Sequence, residues 1–326
     1  MIRNSRLALL FVPLGLIVLA GAPVMLNRYW LFLVTTLFAY VIALVGLKVL
    51  FGDAGQLSLG QAAFVGIGAY TAAIVTDTLA LTLPYEILVV ALVSALIAAV
   101  IAIPALRVSG LRFALVTLAF GELFQWFLRD SKGLTGGEQG LFVPPMLMGP
   151  IPGKSPLTLY IVAAIGAIFF SILAWHLPKT KVGRAMSAIR ESQLAAESVG
   201  VSVWRTKLFA FIFAAVSAGI GGMLLAHTSG SISPTSFGLF SGVYLLVAII
   251  LGGSRSTLGA WIGAVYLVIV PALFTTVGLD GVYVLFSGAV LLIVIMLFPA
   301  GIAGVLQQFV ATRRSNKRSK RREVTA

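Results

Sequence analysis

Pro84-Tyr-Glu-Ile-Leu-Val-Val-Ala-Leu-Val-Ser-Ala-Leu-Ile-Ala-Ala-Val-Ile-Ala-Ile-Pro-Ala-Leu106 is an apolar run of the length a helix needs to cross a bilayer. A hydrocarbon core of roughly 30 Å takes about 20 such residues. Working outward from it, comparable runs occupy 7–26, 30–47, 157–177, 208–227, 237–251 and 282–298. Three less regular ones lie at 62–80, which holds Asp77, at 113–128, which holds Glu122, and at 258–277, which is interrupted by Pro271. About ten transmembrane helices are therefore predicted, the pattern of an all-α polytopic membrane protein. The whole chain agrees: 326 residues, 60% hydrophobic and 10% charged, with a mean hydropathy of +1.06, cannot supply the surface of a soluble fold.

Charge orients the spans. Lys and Arg number 23 against 10 Asp and Glu, a net charge of +13. With about ten spans and both termini cytoplasmic, only Arg28, Arg129, Lys132 and Lys154 fall on the outer side. Every other Lys and Arg lies inside, as the positive-inside rule requires, and an odd span count would destroy that partition. The chain divides into a membrane region, 1–312, and a basic cytoplasmic tail, 313–326. The tail is an orientation signal or a contact with anionic membrane lipid, and no nucleic-acid partner is expected. Arg3, Arg6, the following apolar run and Ala20-Gly21-Ala22 imitate a secretory leader, but Pro23 at the first mature position argues against cleavage.

The inventory of reactive groups is narrow. The chain has no Cys and only two histidines, His176 and His227, which excludes disulfide frameworks, thiolate metal sites and Cys nucleophiles. The histidines sit at predicted helix ends and read as interfacial residues. Gly149-Pro-Ile-Pro-Gly153-Lys154-Ser155 is a residue short of a phosphate-binding loop and follows no strand, so any ATP must be bound by another chain.

Between the second and third spans the chain runs Gly52-Asp-Ala-Gly55-Gln-Leu-Ser58-Leu-Gly60-Gln61-Ala-Ala-Phe-Val-Gly66-Ile-Gly68-Ala-Tyr70. Glycines at this density weaken a continuous helix, and irregular backbone at membrane depth is tolerated where it is buried in protein or lines a wet path. Gly55, Ser58, Gly60 and Gln61 are therefore candidates for a translocation path, with close helix packing as the equal alternative. Gly259 and Gly263 have packing spacing, and Ser58-Leu-Gly60 faintly echoes Thr257-Leu-Gly259. Glu122 lies about nine residues, roughly 13 Å, into its span, near mid-bilayer. It is either a substrate-ammonium or proton site or a structural residue bonded through Thr117 or Gln125, so Thr117 and Glu122 join the path candidates. The outer loop, 129–156, is rich in Gly and Pro and serves as a connector or a docking element.

The cytoplasmic loop, 178–207, contains Met186, Ile189, Gln193, Ala196 and Val199 at helical spacing, with Gly200 as a stop signal. One amphipathic helix is predicted, and its small residues suit a close-fitting protein groove.

Gly183-Arg184-Ala-Met-Ser-Ala188-Ile-Arg190-Glu191 followed by Ala195-Ala196-x-x-x-Gly200 resembles the coupling-loop motif of ABC importer permeases, specifically the branched-chain amino acid permease family of the LivM type. The Gly55 to Tyr70 run, Phe113-Ala-Leu-Val-Thr117-Leu-Ala-Phe and Leu134-Thr-Gly136-Gly137 resemble the same family. Leu194 departs from the general motif, which has Glu there. The resemblance implies a non-enzymatic permease of type II importer architecture in the bacterial inner membrane. It also implies a second homologous permease, two cytoplasmic ATPase subunits that carry ATP and Mg, and a periplasmic substrate-binding protein. This chain itself is expected to bind no cofactor and no metal. Gly183, Arg184, Ala188, Arg190, Glu191, Ala195, Ala196 and Gly200 are its implied ATPase-coupling residues. The implied substrates are branched-chain or related amino acids, with urea or short amides as the alternative; a proton-coupled secondary transporter centred on Glu122 is the rival from another class.

Overall fold

The computed structural model describes residues 27–148, 151–152, 156–276 and 301–304. The predicted first and last spans and the basic tail lie outside the described residues. The main helices are α1 (Arg28–Leu47), α2 (Gln61–Leu79), α3 (Leu83–Ala105), α4 (Leu111–Asp130), α5 (Pro156–His176), α6 (Lys181–Glu191), α7 (Gln193–Ser198), α8 (Val203–Ser229), α9 (Leu239–Gly252) and α10 (Thr257–Thr276). Seven helices among the described residues are long and apolar enough to cross a membrane. The predicted span at 237–251 appears as α9, only 14 residues long. That is about 21 Å of helix, less than the hydrocarbon thickness. The Pro234–Phe237 3₁₀ turn precedes it and packs on α2 and α4.

Three helices form the core. α8 packs along α1 and α2, and small residues let the backbones meet, since lipid supplies no hydrophobic drive between helices. Gly222 shows the constraint: a Cβ there would stand 1.8 Å from the carbonyl oxygen of Val65. α3, α4 and α5 each bury one narrow face, for example Val90, Ser94, Ala98 and Ala102 of α3, while Leu88, Leu92, Leu96 and Val100 stay exposed. Such apolar exposure suits helices that face lipid or another membrane chain. Gly259 and Gly263 fulfil their packing reading, seating α10 against the backbone of α9.

The two ends of this bundle are built differently. At one end, three connections are joined by backbone. β1 (Leu141–Phe142) pairs antiparallel with β4 (Ser231–Ile232), β2 (Leu147–Met148) pairs with β3 (Ile151–Pro152), and Thr82 bridges to Leu147. The other end carries α6 and α7, the α1–α2 and α3–α4 connections and Arg107, Lys179, Lys181, Arg184, Arg190, Arg205 and Arg255. We refer to these as the strand end and the basic end. Lys48, read from the sequence as one of the inner basic residues, lies at this basic end, buried and paired with Asp53 at 2.7 Å.

Candidate functional site

The first membrane-crossing helix among the described residues does not end cleanly. α1 widens into a π-helical turn, Lys48–Asp53, and the chain then runs without helix from Gly55 to Gly60 before α2 begins. π turns arise where an extra residue is accommodated in a helix, frequently at functional positions. Here the widening aligns Lys48 with Asp53, whose carboxylate accepts from the Lys48 ammonium. The interrupted segment is buried: Gln56 is 7% exposed, Ser58 1% and Gln61 1%. Buried polar groups normally find partners, yet Gln56 Oε1 and Ser58 Oγ have none among the described residues.

The path candidates separate into three groups. Gly60 and Thr117 come together, because the Leu59 amide donates to Thr117 Oγ1 at 3.1 Å and Gly60 lies against the Thr117 carbonyl. Gln61 is a tie between core helices, its Nε2 donating to the carbonyls of Ala43 in α1 and Ala214 in α8. Glu122 stands apart on the exposed face of α4. Neither Thr117 nor Gln125 binds it: Thr117 holds Leu59, and Gln125 Nε2 donates to the Pro234 carbonyl at 3.2 Å. Glu122 instead borders a shallow surface depression together with Ala62, Gly121 and Gly238.

The loop read from sequence as one helix is two. Ser192 ends α6 and begins α7 in an extended conformation, its hydroxyl accepting from the Ala195 amide at 3.3 Å. A Ser side chain that caps the next helix competes with continuing the previous one. The predicted stripe accordingly holds for Met186, Ile189 and Ala196, which are buried, and fails for Gln193 and Val199, which are exposed. Gly200 is the stop the sequence indicated: it has φ +83°, and the Gly200 and Val201 amides donate to the carbonyls of Glu197 and Ala196, a Schellman closure.

The eight coupling candidates divide by direction. Gly183 sits over the Leu177 carbonyl and Arg184 donates to the Lys179 carbonyl at 2.7 Å, so both shape the turn from α5 into α6. Ala196 is buried and Ala188 partly so, whereas Glu191, Ala195 and Gly200 face outward. Leu194 and Val199, 81% and 76% exposed, make an apolar tip. Arg190 reaches the other way and donates to the Gly52 carbonyl in the π turn. Gly55, with φ +70°, lies directly beneath it: a Cβ there would stand 2.8 Å from Arg190 Cγ. Burial lowers the Arg190 pKa from its usual value, and neighbouring Arg255 adds to this, while Asp53 and Glu191 act in the opposite direction. The interrupted helix and the hairpin are thus one connected unit. A small polar cleft opens between them, lined by Gln56, Ser109, Arg190 and Gln193 among others.

The hairpin thus presents an apolar tip outward, while its arginine points inward and is hooked on an interrupted helix. A sequence model of the family described as branched-chain amino acid transport system / permease component matches residues 29–296. The chain belongs to that family. It is 32% identical over 284 residues to the high-affinity branched-chain amino acid transport system permease protein LivM of Salmonella typhimurium, an alignment covering 80% of this chain and 67% of that one. Against LivM of Escherichia coli the figures are 32% over 280 residues, 78% and 66%. This permease thus spans about two thirds of the length of those relatives. LivH of Salmonella typhimurium, a permease protein of a branched-chain amino acid system, is 28% identical over 186 residues, covering 55% of this chain and 60% of its own. No solved structure matches the chain significantly. Family membership makes this chain a transport subunit and not an enzyme. Among the described residues no group of three or more His, Asp or Glu is placed to hold a metal ion.

Sequence reasoning missed one buried site at the strand end. Glu86, at the start of α3, is 0% exposed, and its Oε1 lies 2.5 Å from His227 Nε2 at the end of α8. His227 Nδ1 is 3.1 Å from the Pro144 carbonyl in the long connection. That carbonyl only accepts, so Nδ1 carries a hydrogen, and one further proton lies between Nε2 and the carboxylate.

Proposed function

We propose that this chain is one of two permease subunits of an ATP-driven importer that moves branched-chain or related apolar amino acids across the bacterial inner membrane. The observation that carries the proposal is the Arg190 connection between the α6–α7 hairpin and the Gly52–Gly55 segment. In this reading a second, homologous permease completes the pathway, and similarity to both LivM and LivH supports such a pair. Two cytoplasmic ATPase subunits take up ATP and Mg and seat the Leu194–Val199 tip in a groove. A periplasmic binding protein delivers substrate to the strand end. The concentration of Lys and Arg at the basic end supports placing that end, and both termini, in the cytoplasm.

When the ATPases close they displace the tip, and Arg190 passes the displacement to the break between α1 and α2. ATP shifts the pore only by the difference in its binding energy between the states, so the hairpin has to fit the ATPases differently in each. Thr117, Gly60 and Ser58, where α2 starts against α4, are the residues best placed to feel that motion. The exposed position of Glu122 fits a groove facing the second permease better than a proton site enclosed within this chain.

The test is uptake of labelled leucine into proteoliposomes containing the chain with its partner subunits, for the native protein and a Glu191→Arg, Ala195→Trp double variant. ATP-dependent uptake that the variant loses, while its subunits still co-purify, supports the proposal. Leucine uptake by this chain alone, indifferent to ATP, overturns it, and selective uptake of urea would change the substrate.

A further inference from the structure

α3 and α4 expose faces of opposite character. On α3 the exposed residues are Leu88, Leu92, Leu96, Val100 and Ile103, a bulky aliphatic stripe that lipid covers without loss. On α4 the exposed face carries Glu122. It stands about 17 Å along the helix from Leu111 and about 12 Å from Asp130, near the middle of the span. A carboxylate at that depth is costly against hydrocarbon. Beside it, the Pro234–Phe237 turn exposes Thr235 and Ser236. This turn also lies within the span: Gln125 Nε2 donates to the Pro234 carbonyl, and Phe237 packs on Gly66, roughly 20 Å short of the end of α2. Non-helical backbone at membrane depth is tolerated only where it is buried in protein or lines water. The carboxylate and the turn together exclude lipid from this face.

Glu122 also lacks a counter-charge. Among the described residues it makes no ion pair or hydrogen bond. None of the apolar runs read from the sequence, those at 7–26 and 282–298 included, contains a Lys or Arg. The other acids near the membrane interior are engaged, Asp53 with Lys48 and Glu86 with His227, and Asp77 lies near the end of α2. Glu122 is thus the uncommitted carboxylate at mid-span among the described residues, and the cation that meets it comes from outside this chain. An amino acid in transit brings one. Its ammonium crosses the same depth and needs an anionic or polar partner there.

We propose that Glu122, with Thr235 and Ser236, lines a water-filled path between this chain and the second permease, and that its carboxylate meets the ammonium of the amino acid in transit. The proposal deepens the reading given above and rests on it for the identity of the substrate. This chain supplies one wall, a shallow surface that includes Ala62, Gly121 and Gly238, and the second permease supplies the other. The hydroxyls of Thr235 and Ser236 offer donors and acceptors in place of the zwitterion's hydration. One carboxylate in a wet site holds an ammonium weakly enough to release it, as passage requires.

Because the chain has no Cys, single cysteines report directly on what covers this face. Glu122→Cys, Ser236→Cys and, as the lipid control, Leu96→Cys are treated in the complete complex in lipid nanodiscs with small cationic and anionic thiosulfonates, the native complex serving as blank. Positions 122 and 236 are expected to react about tenfold or more faster than position 96, since the reactive thiolate forms where there is water. Ser236→Cys should favour the cationic reagent several-fold, and adding Glu122→Gln should abolish that preference. A carboxylate already paired with a cation of the second permease would not set such a ratio. In proteoliposomes Glu122→Gln should lower ATP-dependent leucine uptake about tenfold, the worth of a charge-assisted hydrogen bond, and Glu122→Asp should keep most of it, with the second permease co-purifying in both. Reaction at 122 and 236 no faster than at 96, or uptake undiminished in Glu122→Gln, overturns the proposal. So does loss of the second permease from the Glu122→Gln complex, the sign of a salt bridge between subunits. Native ATP-dependent leucine uptake beside any of these failures leaves the permease reading standing, whereas ATP-dependent uptake of no amino acid sinks that reading and the ammonium role with it.

Discussion

The strand end and the basic end hold the same helices with different bonds. At the strand end, connections far apart in sequence are joined by backbone pairing, as Leu141 with Ile232 and Thr82 with Leu147. The Glu86–His227 pair, fully buried, adds a clasp on the Pro144 carbonyl. At the basic end the links run through long side chains, Lys48 to Asp53 and Arg190 to Gly52, around an open cleft. Backbone ladders and buried pairs fix one geometry, whereas a long side chain over a cleft can keep its contact while the groups it joins shift. In the function proposed above, motion enters this permease at the basic end and is resisted at the strand end.

The comparison can be broken in three places. The largest effect is expected at the clasp. Glu86→Leu leaves His227 buried without its partner and should destabilise the protein by about 3–5 kcal/mol, read as the unfolding midpoint in lipid–detergent micelles. A Glu86→Leu, His227→Leu double variant should recover much of that loss. An unchanged midpoint in the single variant would mean that strand pairing alone holds this end. Next, Asp53→Asn leaves the Lys48 ammonium, 3% exposed, without its counter-charge, at a cost of about 1.5–3 kcal/mol. Coupled uptake should fall with it, because the π turn carries the Arg190 contact. If stability drops and uptake per assembled complex does not, the turn is only a structural device. The smallest effect on stability is expected at the tip. Leu194→Asp alters a residue 81% exposed and should move the midpoint by no more than about 0.5 kcal/mol, while reducing co-purification of the ATPase subunits several-fold. A large midpoint shift there would show that the tip is packed against this chain and is not offered to a partner.

Much of this was readable from the sequence, for physical reasons that differ by element. Long apolar runs announce helices in a membrane because backbone groups there have to be satisfied internally, and α3 and α5 fall within a residue or so of their predicted limits. Gly200 announced its own stop because φ +83° is open to glycine and costly to most other residues. Ser192 was harder: within a helical stripe a Ser is nearly neutral, and only its bond to the Ala195 amide shows that the helix divides there.

By itself the sequence determined a helical membrane protein, the glycine-interrupted entrance to α2 and the motif that places the chain in its family, because each of these is local or periodic. Tertiary structure decided what the polar residues do. Residues five apart lie about 140° apart around an α-helix, so the Lys48–Asp53 pair exists only because the turn widens. Glu86 and His227 are 141 residues apart and meet because α3 and α8 pack side by side. The polar cleft between the hairpin and the interrupted helix likewise depends on four separate segments arriving at one end of the bundle, which follows from how the helices pack and not from the order of residues along the chain.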